Sequence, residues 1–146
     1  EAEEKQTSQM EIDAKYIKDN YNLDIPLQGT VTSRFGIRTP NNIVSANHAG
    51  IDIGANEGTK IVAAMDGEAT LVSQEGDYGN HIKITNGNVT TLYAHCKSLY
   101  INQGDKISKG MEIAEVGSTG RATGPHLHFE IRAYDRLVNP EYVLKF

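Results

Sequence analysis

Residues 117–132 read GSTGRATGPHLHFEIR, and the closing HLHFEIR (126–132) decides the fold class. After the Gly124-Pro125 break, His126, His128 and Glu130 alternate with Leu127, Phe129 and Ile131. A β-strand turns successive side chains to opposite faces, whereas a helix would scatter this period-two pattern around its circumference. The stretch therefore predicts a strand with one apolar face to pack and one face that carries two imidazoles. Alternation leaves open whether those imidazoles form a metal site, an acid–base pair or an ordinary polar face.

The same signal recurs outward from this strand, punctuated by glycines. TVTSRFG (30–36), GIDIG (50–54), TKIVAAMDG (59–67), EATLVSQEG (68–76), NHIKITNG (80–87), NVTTLYAHC (88–96) and MEIAEVG (111–117) all read as strands. Asn86-Gly87 and Asp66-Gly67 suit tight hairpin turns. No helical period interrupts the series after residue 30. With 146 residues, 14 glycines and no tryptophan, the chain predicts a single all-β domain. The expected architecture is a compact antiparallel β-sandwich or partly open barrel.

Residues 1–25 differ from the rest. They hold seven acids against three lysines, which accounts for nearly all of the net charge of −5. Met10, Ala14, Ile17 and Tyr21 recur at helical spacing, so residues 8–20 predict a short amphipathic helix. The segment reads as a helical or disordered acidic arm, the end of a stalk or an occluding or partner-docking element. Pro26 then opens the globular part, residues 26–146. The acidic balance lacks the basic footprint of a nucleic-acid binder. No apolar run approaches the roughly 20 residues that cross a bilayer. The single cysteine, Cys96, cannot form an internal disulfide.

Three short fragments hold the chemistry. In NHAGIDIG (47–54), an extended chain would put His48, Gly50 and Asp52 on one face. In TLYAHC (91–96), alternation groups His95 with Val89, Thr91 and Tyr93 and turns Cys96 the other way, as a small buried hydrophobe. The third fragment is His126-x-His128. His81 shares a face with Lys83, which argues for a solvated, structural position. Glu130 is either a carboxylate that orients a ligand or simply an exposed one. Catalytic zinc takes three protein ligands and keeps a fourth position open. Two histidines and one carboxylate would suffice and leave two histidines for proton transfer; by spacing alone a three-histidine site stays open. A helical His-Glu-x-x-His motif is absent.

Together, HAGIDIG, YAH and TGPHLHFEIR closely resemble the lysostaphin-type, or LytM-type, zinc endopeptidases that cut peptidoglycan cross-links. The resemblance runs from VTSRFGIR at Val31 to VNPEYVL (138–144), and GTKIVAAMDGEA and QGDKISKGMEIAEVGSTG fit the family's glycine-marked hairpins. It implies one Zn²⁺ ion held by His48, Asp52 and His128, with His95 and His126 in catalysis. It further implies an antiparallel scaffold with a narrow active-site groove. The implied activity is hydrolysis of peptide bonds in peptidoglycan cross-bridges or stem peptides, outside the cytoplasm. A zinc-binding but non-hydrolytic scaffold or regulator of cell-wall remodelling, division or sporulation is the alternative. His81 departs from the bulkier residue usual in that family. The loops 36–47 and 118–124 are expected to choose the bond that is cut.

Overall fold

The computed structural model of the chain describes residues 2–37, 47–120, 122 and 124–146. It opens with α1 (Ala2–Asn20), and the strands follow: β1 (Thr30–Ser33), β2 (Gly36–Ile37), β3 (Asn47–His48), β4 (Ile51–Gly54), β5 (Lys60–Val62) and β6 (Gly67–Ser73). After them come β7 (Asn80–Asn86), β8 (Val89–Leu99), β9 (Lys106–Ile107), β10 (Glu112–Val116), β11 (His126–Ala133), β12 (Arg136–Val138) and the short 3-10 turn η1 (Pro140–Tyr142). All pairings among the described residues are antiparallel, as the all-β reading expects. One large sheet runs β1-β4-β11-β8-β7-β6-β9, with β10 bridging β5 and β8 and with β12 on β11. β1 and β9 end the path without pairing to each other, so the sheet is open rather than a closed barrel.

β11 is the organising strand. One edge pairs with β8, while β4 and β12 share the other. Leu127 lies opposite Ile53, and Phe129 lies opposite Ile51 on one side and Tyr93 on the other. All five are buried in the core with Ile82, Ile84, Ile113 and Val116. Each such side chain contributes roughly 1.5–3 kcal/mol through removal from water. The Tyr93 hydroxyl is satisfied inside this core: it accepts the Ala64 N–H at 2.9 Å and meets the Thr91 hydroxyl at 2.8 Å. The opposite face pairs His128 with Asp52 and with Ala94, and Glu130 with Leu92.

Two turn expectations meet different outcomes. β7 and β8 do form a tight hairpin, with Asn86 paired to Val89 and Gly87 in the left-handed region at φ 58°. Asp66-Gly67 makes no hairpin, because β5 pairs with β10 and not with β6. Gly67 begins β6 against Ile107, and a Cβ there would lie 2.6 Å from the Thr85 carbonyl oxygen. Close approach of two backbones, not a turn, requires that glycine.

α1 is longer than the 8–20 expected and is anchored on the sheet. Ile17 is fully buried and Ala14 nearly so, within the same core cluster. Asp13, 2 % exposed, accepts two hydrogen bonds from the Arg136 guanidinium, both at 2.9 Å. Those bonds outweigh the effect of burial and hold the Asp13 carboxyl below its ordinary value. The Tyr16 ring packs 5.3 Å from Tyr134, which with Asp135 forms the two-residue turn between β11 and β12. Both turn residues have positive φ, 52° and 61°, the pair of values that a type I′ hairpin demands.

Candidate metal centre and active site

Four of the five histidines meet on the polar face of β11. β3 presents His48, β4 presents Asp52 and β11 presents His126 and His128. His48 and Asp52 do not lie on one continuous strand, contrary to the extended reading of residues 48–52. The chain bends at Ala49-Gly50, and His48 pairs instead with Gly36 in a separate two-stranded sheet. Gly50 is needed there because a Cβ would stand 2.1 Å from the Phe129 carbonyl oxygen. The bend, and not alternation, brings His48 back over Asp52.

The donor atoms converge on Asp52. His48 Nε2 lies 3.3 Å from its Oδ1 and His128 Nδ1 lies 3.0 Å from the same oxygen. One ligand atom from each of these three residues lies within 4.8 Å of the others. The second nitrogen of each imidazole is engaged elsewhere. His48 Nδ1 donates to the Arg34 carbonyl at 3.0 Å, and His128 Nε2 donates to Glu130 at 2.8 Å. With these nitrogens engaged, the neutral form of each ring offers its other nitrogen, the one beside Asp52, as the lone pair for an ion. Two imidazole nitrogens and one carboxylate oxygen suit a zinc ion and leave a fourth position. The residues therefore fit the metal.

Electrostatics follow the same geometry. Burial would raise the Asp52 carboxyl, but hydrogen bonds from His128 and His48 outweigh it and keep the group well below the ordinary carboxylate range. Burial would lower the His128 imidazolium, yet Asp52 and Glu130 together lift it to about 9. Without a metal the ring is a cation clasped by two carboxylates.

His95 reaches the same face by a route that strict alternation misses. Tyr93 is in the core and Ala94 is opposite His128, so an unbroken strand would bury His95 beside Tyr93. Instead β8 carries an extra residue between the pairs Ile82–Tyr93 and Asn80–Cys96. His95 sits in that bulge with φ 65°, a left-handed conformation uncommon outside glycine. The bulge falls where the neighbour of β8 changes from β11 to β10. It turns His95 to within 5.0 Å of the His126 ring and 6.0 Å of the His128 ring, centroid to centroid. Cys96 returns to the core, where burial pushes its thiol up to about 12.

Both remaining imidazoles are held by backbone carbonyls. His95 Nδ1 donates to Thr119 at 2.8 Å and His126 Nδ1 donates to Gly124 at 2.8 Å. In the neutral form of each ring Nε2 is then the nitrogen with the lone pair, and His126 Nε2 lies 3.7 Å from Asp52 Oδ1. Burial lowers the His95 imidazolium against the opposing bond to Thr119, so the ring is neutral at neutral pH.

Two residues need comment against the sequence expectation. Of the two readings of Glu130 the exposed one is excluded: the side chain is fully buried and accepts the Tyr78 hydroxyl as well as His128. His81 is 7 % exposed and is not on a solvated face; it donates to the Gly79 carbonyl at 2.8 Å and packs 5.2 Å from the Tyr78 ring. Tyr78 itself, stacked 5.7 Å from His128, gave no sequence signal. The proposed specificity loops lie partly outside the described residues, at 38–46, 121 and 123.

Residues 46–140 match the sequence profile of peptidase family M23. The chain is similar to the DD-carboxypeptidase/endopeptidase Mpg of Neisseria meningitidis, 41 % identical over 125 residues, which covers 84 % of this chain but 29 % of that protein. It therefore spans under a third of that relative's length. A zinc-containing peptidase from Vibrio cholerae superposes with TM-score 0.76 at 28 % identity, over 87 % of this chain and 40 % of that one. The catalytic domain of the prophage-encoded M23 protein EnpA from Enterococcus faecalis superposes with TM-score 0.72 at 30 % identity, over 83 % of this chain and 95 % of that domain.

Proposed function

The chain belongs to peptidase family M23, and from that membership we propose a zinc endopeptidase that hydrolyses peptide bonds in peptidoglycan cross-bridges or stem peptides. The observation that carries this reading is the convergence of His48 Nε2, Asp52 Oδ1 and His128 Nδ1 beside two further imidazoles of fixed tautomer. In this reading the three residues hold one zinc ion, and His95 and His126 are catalytic. When bound, the ion supplies Lewis-acid polarisation of the scissile carbonyl and a lowered pKa for water. His95, kept neutral by burial, accepts a proton at Nε2. His126 Nε2, whose ring lies 5.0 Å from that of His95, is a second proton acceptor there, and the proton taken up is the one passed on to the departing amine. Thr119 and Gly124 hold the two rings in place through their carbonyl oxygens.

The substrate places the action outside the cytoplasm. Residues 26–146 carry the site, and of the acidic segment 1–25 the side chains of Ala14, Ile17 and Leu23 pack into the domain's core. A protein partner of that segment would use its outer face. Purified peptidoglycan incubated with the zinc-loaded protein should release fragments with new amine and carboxyl ends, identified by mass spectrometry. Stoichiometric zinc with no new ends would favour the non-hydrolytic scaffold.

A further inference from the structure

Glu130 is an ionisable side chain with no exposure at all, and no step above uses it. Desolvating a carboxylate costs several kcal/mol unless its oxygens are fully engaged. Here they are. Oε2 accepts His128 Nε2 at 2.8 Å and the Tyr78 hydroxyl, while Oε1 lies 3.4 Å from Arg132 Nη2. The surroundings are shaped around this carboxylate. Leu92 lies opposite it on β8, and a Cβ on Gly50 would come within 2.9 Å of its Cγ. The Tyr78 ring also stacks on His128, with 25° between the planes, so one residue holds both members of the pair.

We propose that Glu130, held in turn by Tyr78 and Arg132, is a positioning residue that fixes His128 for metal binding. Only the tautomer with its proton on Nε2 leaves Nδ1 free to face Asp52 and the ion. Glu130 takes that proton's hydrogen bond and blocks rotation of the ring about its own axis. A carboxylate behind a ligating histidine also strengthens the other nitrogen as a donor. The inference rests on the zinc-site reading given above.

The test is the rate of zinc release into excess chromophoric chelator. It starts from the loaded protein and so is separate from proton competition for the empty site. Glu130→Gln preserves the side-chain volume and should release zinc roughly 10–100-fold faster than the parent, the range seen when such outer partners are lost. A structural role alone would lower the melting temperature of the metal-free protein without changing release. Release within twofold of the parent rate overturns the proposal. Should Glu130→Gln fail to fold by circular dichroism, Glu130→Asp, whose carboxylate is one methylene too short to reach His128, is judged by the same criterion. His128→Ala separates the two levels. If it holds zinc as the parent does, the metal-site reading fails; if it loses zinc while Glu130→Gln keeps it, only the role of Glu130 falls.

Discussion

If His128 Nδ1 binds the ion as proposed, proton and metal compete for the same atom, and the competition has a predictable size. In the metal-free protein, His128 Nδ1 carries the proton that is donated to Asp52 at 3.0 Å, while Glu130 accepts from Nε2 at 2.8 Å. The two carboxylates hold the imidazolium to about 9. At pH 7 about 1 % of the rings are then neutral, which weakens apparent zinc affinity about 100-fold, or about 2.7 kcal/mol. Asp52 is ionised far below neutral pH and adds no slope. Zinc affinity should therefore rise about tenfold per pH unit between pH 7 and 8.5, with one proton released per ion bound. Competition against a chelator of known protonation behaviour measures this. A slope of log K against pH below about 0.3 across that window would refute the linkage.

Stability of the metal-free protein is tied to the same proton. The folded-state pKa of His128 lies above its unfolded value of 6.5, so its contribution is complete below pH 6.5 and disappears as pH rises through about 9. The loss is on the order of 3 kcal/mol. The melting temperature should accordingly fall between pH 7 and 9.5 without zinc and stay level with zinc bound. At the acid end the depressed carboxylates of Asp52 and Glu130 act in the opposite sense, and stability is lost as pH falls through their folded values.

Three substitutions test other parts of the structure. His95→Ala should retain zinc and lose turnover by roughly 10²–10⁴-fold; cleavage at the parent rate would remove His95 from the mechanism. Ile17→Ala opens a cavity under α1 and should cost about 2–5 kcal/mol, measured by urea denaturation. An unchanged midpoint would mean that the helix does not stabilise the sheet. Gly50→Ala forces β4 away from the Phe129 carbonyl, so it should destabilise by about 1–3 kcal/mol or more and weaken zinc binding as well, which calorimetry reads separately. Normal zinc affinity in that variant would show that the spacing of β4 and β11 does not set the site.

How much of this was legible in advance differed from residue to residue. Wherever a strand stays paired along its length, alternation read from the sequence held: Leu127 and Phe129 are in the core, and His126 and His128 are on the opposite face. The short strands β2, β3, β9 and β12 left no readable pattern, because two or three residues cannot display a period. Lys106–Ile107 and Arg136–Val138 become strands only because β6 and β11 offer unpaired edges beside them. By type alone Glu130 is either a solvent-facing carboxylate or one that orients a ligand. Its burial depends on Tyr78, Leu92 and Gly50, which come from three other segments of the chain.

By itself the sequence determined the composition of the site and the class of fold. Alternation in HLHFEIR is a local property of an extended chain, and the three histidine-bearing fragments are contiguous stretches that can be read in place. The tertiary structure decided how those fragments face one another. His95 joins the site through a bulge that forms where β8 passes from β11 to β10, and His48 joins through a bend at Gly50 packed on the Phe129 carbonyl. Both depend on which strands become neighbours, and pairing between distant segments is not a property that any single stretch contains.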